Sequence, residues 1–105
     1  MRMYLLDPRY FCDRHLCREH DACHVFSGKV TKEIHKKDTG TFESAQIRPQ
    51  HDAVVEEMER RGIVHGSPLT YFDNDRNLGT VDREKSLTDL LECPDCKAQY
   101  EIFKE

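Results

Sequence analysis

The sequence predicts an all-α fold, a small single-domain bundle of about three helices joined by long loops. Apolar residues recur at helical spacing in three segments, each segment is bracketed by residues that start or stop helices, and the stretches between them are rich in turn formers. At 105 residues the chain is read as one domain, 1–105. A domain of that size buries only roughly 60–70% of its unfolded surface, so an additional staple is expected.

The elements follow in order. The first eleven residues are expected to be extended, because Pro8 disfavours helix at Asp7 and has no backbone donor. Asp13 suits a helix N-cap, and the first helix is expected to run to about Phe26 and stop at Ser27-Gly28. His15, Glu19, Ala22 and Phe26 share one stripe of it, while Leu16, Cys17, His20, Cys23 and His24 form another. Residues 27–48 lack a clear period and read as loop with one helical turn at most. The second helix begins with Pro49 at its first position, buries Val54, Val55 and Met58, and ends at Gly62 in the left-handed conformation. Glu56 with Arg60, and Glu57 with Arg61, are i,i+4 pairs in the favourable order. After turn-rich stretches at 66–68 and 73–79, Asp82 caps a third helix carrying Leu87, Leu90 and Leu91, which stops at Pro94. The tail from Lys97 onward alternates only weakly.

No apolar run approaches the ~20 residues a membrane span requires, and the N-terminus has no stretch resembling a secretory signal. A cytoplasmic protein with a mature N-terminus is expected, in the host cytoplasm if the chain is viral. The net charge of -4 argues against nucleic acid when taken alone. Its distribution reverses that argument. Residues 1–37 carry eight Lys/Arg against five acids, and the remainder eight against fifteen. A basic N-terminal face and an acidic C-terminal part are compatible with a DNA partner, and equally with scattered surface charge.

Five cysteines, an odd number, in a chain without a secretory signal point to free thiols or metal ligands rather than disulfides. Cys93-Pro94-Asp95-Cys96 is a CxxC knuckle, the spacing at which two thiolates share one tetrahedral zinc. Cys12 and His15 form a second pair with two residues between them, with Cys17 and Cys23 as further candidates. A structural zinc joining the two ends of the chain would be the staple, since metal-binding free energy becomes folding free energy. A redox role for the CxxC fits less well, because that motif belongs in a βαβ pattern. His15, His20 and His24, with Cys23, also suggest a catalytic metal, but His15 lies about 140° around the helix from His20, so this helix alone does not build one. A Cys–His hydrolase is weaker still, as nothing singles out one thiol as activated.

Residues 15–20 (His-Leu-Cys-Arg-Glu-His), residues 48–69 from Arg48-Pro49-Gln50-His51 through Glu56-Glu57-Met58-Glu59-Arg60-Arg61-Gly62 to Leu69, and Met1-Arg2 resemble the phage-type pyrimidine-dimer DNA glycosylase family, historically called endonuclease V. Leu90 to Cys96 is similar to the tail of a phage branch of that family. The resemblance spans most of the chain except residues 27–47 and 70–80. It implies a compact all-α monomer that binds double-stranded DNA, flips a base from the stack and attacks C1′ of the damaged nucleotide with its N-terminal α-amine. Such an amine, with an ordinary pKa near 7.7–8.0, forms a Schiff base that supports base loss and strand β-elimination, with no catalytic cofactor.

Carried onto this chain, the resemblance makes the α-amine of Met1 the nucleophile, with His15 and Glu19 on the stripe facing it. Arg2 would contact the phosphate beside the lesion, and Arg18, Lys29 and Lys32 would be further DNA contacts. The family's catalytic glutamate falls on Ala22, and the arginine before it on Asp21. Alanine neither moves a proton nor stabilises a cation, a loss expected to cost at least about 10²–10⁴-fold. Three readings follow: an engineered inactivation, a natural variant in which Glu19 or Asp21 substitutes, or a relative that binds DNA without catalysis. The alternative from another class is a non-catalytic, zinc-stapled DNA- or protein-binding module of phage type.

Overall fold

The computed structural model describes residues 1–31, 41–65 and 79–104, with the side chains of residues 29–31 outside that set. It is all-α: α1 (Asp13–Thr31), α2 (Ile47–Arg61), α3 (Arg83–Leu90) and α4 (Pro94–Phe103), with two 3-10 turns at Pro8–Tyr10 and Ser44–Gln46. No strand occurs among the described residues. None of these helices is long and apolar enough to cross a membrane.

The N-terminal segment is not simply extended. Asp7 caps the first 3-10 turn by accepting from Arg9 N–H at 3.0 Å, and Pro8 supplies the fixed φ such a turn needs. α1 then runs through Ser27-Gly28 rather than stopping there. The Ser27 hydroxyl donates to the His24 carbonyl at 2.8 Å, keeping it inside the helix. Burial of Phe26 and Ser27 outweighs the ~1 kcal/mol that a helical glycine costs.

α2 starts two residues before Pro49, which still lies in the first turn where its missing N–H costs nothing. It ends as expected on Gly62, at φ 74°. Val54 and Met58 are buried, whereas Val55 is only half-buried. Glu57 pairs with Arg61 at 2.7 Å, but Arg60 also turns to Glu57, at 2.5 Å, rather than to Glu56. The buried carboxylate is the better acceptor because water competes less for it. Asp82 caps α3, accepting from Lys85 N–H at 3.1 Å, although Ser86 and Leu90, not Leu87 and Leu91, are its buried residues.

The weakly alternating tail is a fourth helix. Pro94 occupies its first turn, and Cys96, Tyr100 and Phe103 recur at i, i+4, i+7, a helical stripe. Cys96 is buried, Tyr100 meets Tyr10 edge-on at 4.9 Å, and the Arg9 guanidinium lies 5.5 Å from the Phe103 ring centre. α4 thus docks on the N-terminal 3-10 turn.

Two apolar clusters form the core. Met3, Leu5, Ala22, Cys23, Phe26, Phe42, Ile47 and Val81 make one. Phe11, Leu16, Val54, Met58, Leu90 and Cys96 make the other. α1 feeds both, because both of its stripes are buried between α2 and the N-terminal segment. Gly79, at φ 82°, brings the chain against residue 42 so closely that a Cβ would sit 2.1 Å from the Phe42 carbonyl oxygen.

Candidate functional site

Two helix N-termini converge to build the metal-type cluster. Cys12 immediately precedes α1, its carbonyl taking the Leu16 N–H at 2.8 Å, and His15 follows in the first turn. Cys93 is the N-cap of α4 and Cys96 lies in that helix's first turn. The four predicted ligands, Cys12, His15, Cys93 and Cys96, come together with their ligand atoms all within 4.8 Å of one another, a cluster that can hold a metal ion. His15 Nδ1 lies 3.2 Å from Cys12 Sγ and 3.4 Å from Cys96 Sγ, and the Cys12 and Cys93 sulfurs are 4.0 Å apart. Tetrahedral bonds of ~2.3 Å to sulfur and ~2.1 Å to nitrogen give edges of roughly 3.5–3.8 Å, and these three separations lie within a few tenths of an ångström of such edges.

The surroundings suit thiolates. Backbone N–H groups at the start of α4, that of Cys96 foremost, hold the Cys93 thiol below its ordinary range, as expected at the positive end of a helix. Burial pushes the Cys96 thiol up to about 12, so its ionisation calls for a cation. The Cys12 N–H donates to Cys96 Sγ at 3.2 Å. Burial, then Arg14 and Arg18, lowers the His15 pKa, favouring the neutral ring a metal binds. The other cysteine candidates stand apart: Cys23 is core, its thiol pushed far up by burial, and Cys17 is likewise raised.

Beside this cluster lies a cleft of about 280 Å³ lined by Met1, Arg2, Tyr4, His15 and Arg18. Met1 is 69% exposed. Arg2 lies 4.5 Å from the Tyr4 ring centre and is tied to α3 through Asp89 at 2.6 Å and Ser86 at 2.8 Å. Arg18 is exposed. A larger depression of about 390 Å³, lined by Asp7, Pro8, Arg9, Ala53, Glu56, Glu57 and Arg60, contains none of the predicted residues.

Two predicted positions stand elsewhere. Glu19 is buried and absent from the cleft lining. Its carboxylate accepts from Tyr4 N–H and Leu5 N–H, both at 2.9 Å, and from Gln50 Nε2 at 3.0 Å. Burial, only partly offset by these donors, raises its pKa. Ala22 is wholly buried among Met3, Leu5, Phe26 and Ile47; it is a packing position, not a vacancy in the cleft. Asp21 is exposed. The Lys29 side chain and Lys32 lie outside the described residues.

The sequence reading missed Gln50, whose amide also donates to the Leu6 carbonyl at 3.0 Å, and the Asp89 and Ser86 partners of Arg2. Nothing in their spacing signals those contacts. It also missed His51, which α2 packs against α1. Set against protein-family models, curated proteins and solved structures, the chain matches none of them.

Proposed function

We propose that this chain is a DNA glycosylase with AP-lyase activity, acting as a monomer on damaged or modified duplex DNA in a reducing cytoplasm. One observation carries the reading: Met1, two arginines, Tyr4 and His15 share a single cleft. The Met1 α-amine displaces the base from C1′ of the deoxyribose, the base leaving with the bonding pair; the C1′–O4′ bond then breaks, O4′ taking the proton that the amine gives up, and the resulting iminium acidifies the C2′ protons. Loss of one of them expels the 3′ phosphate. Arg18 and Arg2 counter the phosphates flanking the opened site, with the Tyr4 ring backing the Arg2 guanidinium.

In this reading Cys12, His15, Cys93 and Cys96 would hold zinc as a closed structural site, tying the segment that carries the amine to α4. His15, which also lines the cleft, would serve as a ligand through Nδ1. Glu19 acts as a positioning residue for the Met1–Leu5 segment.

Borohydride trapping on duplex DNA containing an abasic site tests the activity. A covalent adduct that disappears when the N-terminus is acetylated is expected, and no adduct overturns the enzyme reading. A second reading, a zinc-stapled duplex-DNA-binding module, is favoured by one fact: among the described residues the cleft lining contains no carboxylate. Salt-dependent duplex binding without any trapping would select it.

A further inference from the structure

His20 and His24 project from successive turns of α1, and α2 brings His51 onto them. The three ring centres lie 4.7–5.0 Å apart. Their candidate ligand nitrogens all fall within 4.8 Å of one another, and His20 Nε2 is 3.3 Å from His24 Nε2. Two nitrogens on one tetrahedral ion at ~2.0–2.1 Å are separated by roughly 3.3–3.4 Å. The pair is therefore already at a coordination edge.

His51 supplies an independent sign. Its Nδ1 is engaged by the Asp52 carboxylate at 3.1 Å, which fixes the proton on that nitrogen and leaves a lone pair on Nε2. That Nε2 is buried and has no hydrogen-bond partner among the described residues. A buried acceptor left unsatisfied costs about 1–3 kcal/mol, and a carboxylate holding the far nitrogen of an imidazole is the arrangement that orients histidine toward a metal.

We propose that His20, His24 and His51 form a second metal site, separate from the cysteine cluster, for a late first-row divalent ion of the zinc class, with a fourth position open to water or a small anion. All-imidazole donors suit such an ion and disfavour magnesium or calcium. Three protein ligands with one position free is the pattern of zinc sites that act on a bound molecule rather than merely brace the fold. His65 approaches, its ring centre 6.2 Å from that of His20, but its Nε2 is engaged by Glu59 at 3.1 Å, so it stands outside the ligand set. The site shares no residue with the cleft at Met1.

Cobalt(II) titration of the metal-free full chain, followed by absorption spectroscopy, tests this. Two equivalents should bind, one with sulfur-to-cobalt charge-transfer bands and one without, and azide should shift only the bands of the second. His51→Ala and His24→Ala should each reduce binding to one equivalent with the charge-transfer bands intact, and His65→Ala should keep two. A single equivalent on the unaltered chain that carries the charge-transfer bands overturns the site, as does an equivalent without those bands that survives His24→Ala; a single equivalent without the bands, lost in His24→Ala, supports the site and overturns the cysteine cluster instead. Loss of the second equivalent in His65→Ala overturns the ligand set, and indifference to azide overturns the open position. Should His51→Ala lose its helical circular dichroism, half-buried His24 provides the deciding variant.

Discussion

The Glu19 carboxylate holds Leu5 in a left-handed backbone conformation. Leu5 sits at φ 54° and its N–H donates to Glu19 Oε2 at 2.9 Å. A non-glycine residue there costs about 1–2 kcal/mol, so the bend persists because the buried carboxylate satisfies two successive N–H groups. Glu19→Ala leaves both unsatisfied. A stability loss of about 2–5 kcal/mol is expected in urea denaturation, and a loss under ~0.5 kcal/mol would show that the carboxylate does not hold the segment.

Ala22→Glu should not rescue activity. The position is wholly buried in the cluster that also holds Met3, Leu5, Phe26 and Ile47, and a carboxylate there has to be desolvated and accommodated at once. Destabilisation of roughly 3 kcal/mol or more is expected. A variant as stable as the parent, with stronger borohydride trapping, would return position 22 to the active site.

Chelation should loosen both ends of the chain together. With zinc at Cys12, His15, Cys93 and Cys96, removing it even at a cost of only ~3 kcal/mol lowers the melting temperature by roughly 12–24 °C. Cys93→Ser should reproduce most of that shift and become insensitive to chelator. Identical melting curves with and without chelator, in protein shown to carry metal beforehand, would exclude the staple.

Arg2 and Arg18 should separate in their effects. Arg18 is exposed, so Arg18→Ala should weaken duplex binding, flatten its salt dependence by about 0.9 in log–log slope, and leave stability unchanged. Arg2→Ala additionally breaks the contacts to Asp89 and Ser86, and a drop in melting temperature should accompany its binding loss. An unchanged salt slope in Arg18→Ala would remove that residue from the DNA face.

The Glu57 ion pairs set a pH dependence. Hydrogen bonds from Arg60 first, and then from Arg61, hold the Glu57 carboxyl below its ordinary value of 4.5. A carboxylate depressed in the folded state contributes stability above its unfolded pKa, and that contribution disappears as pH falls through the folded value. The parent should therefore melt above Glu57→Gln at pH 7, and the gap should close as the pH falls below the ordinary carboxylate range. A gap that widens on acidification would contradict the pairing.

The sequence by itself determined the helix class, the C-terminal end of α2 and the N-terminal end of α3, and the likeness of Cys12–His15 to Cys93–Cys96 as two halves of a metal site, whereas α2 begins before Pro49 and α3 ends at Leu90, short of Pro94. Those features are local: Gly62 and Asp82 act on their own backbone, and ligand spacing within a turn depends on nothing distant. α4 was legible in principle through Cys96, Tyr100 and Phe103, but a short stripe looks like weak alternation until the surface it covers is known. Tertiary structure alone decided the remainder. Glu19 and Ala22 share a stripe with His15, yet the path of the N-terminal segment turns one into a backbone clamp and the other into core. His20, His24 and His51 become neighbours only because α2 lies on α1. Proximity between distant residues is set by how apolar faces pack, and a periodic pattern names a face without naming what it meets.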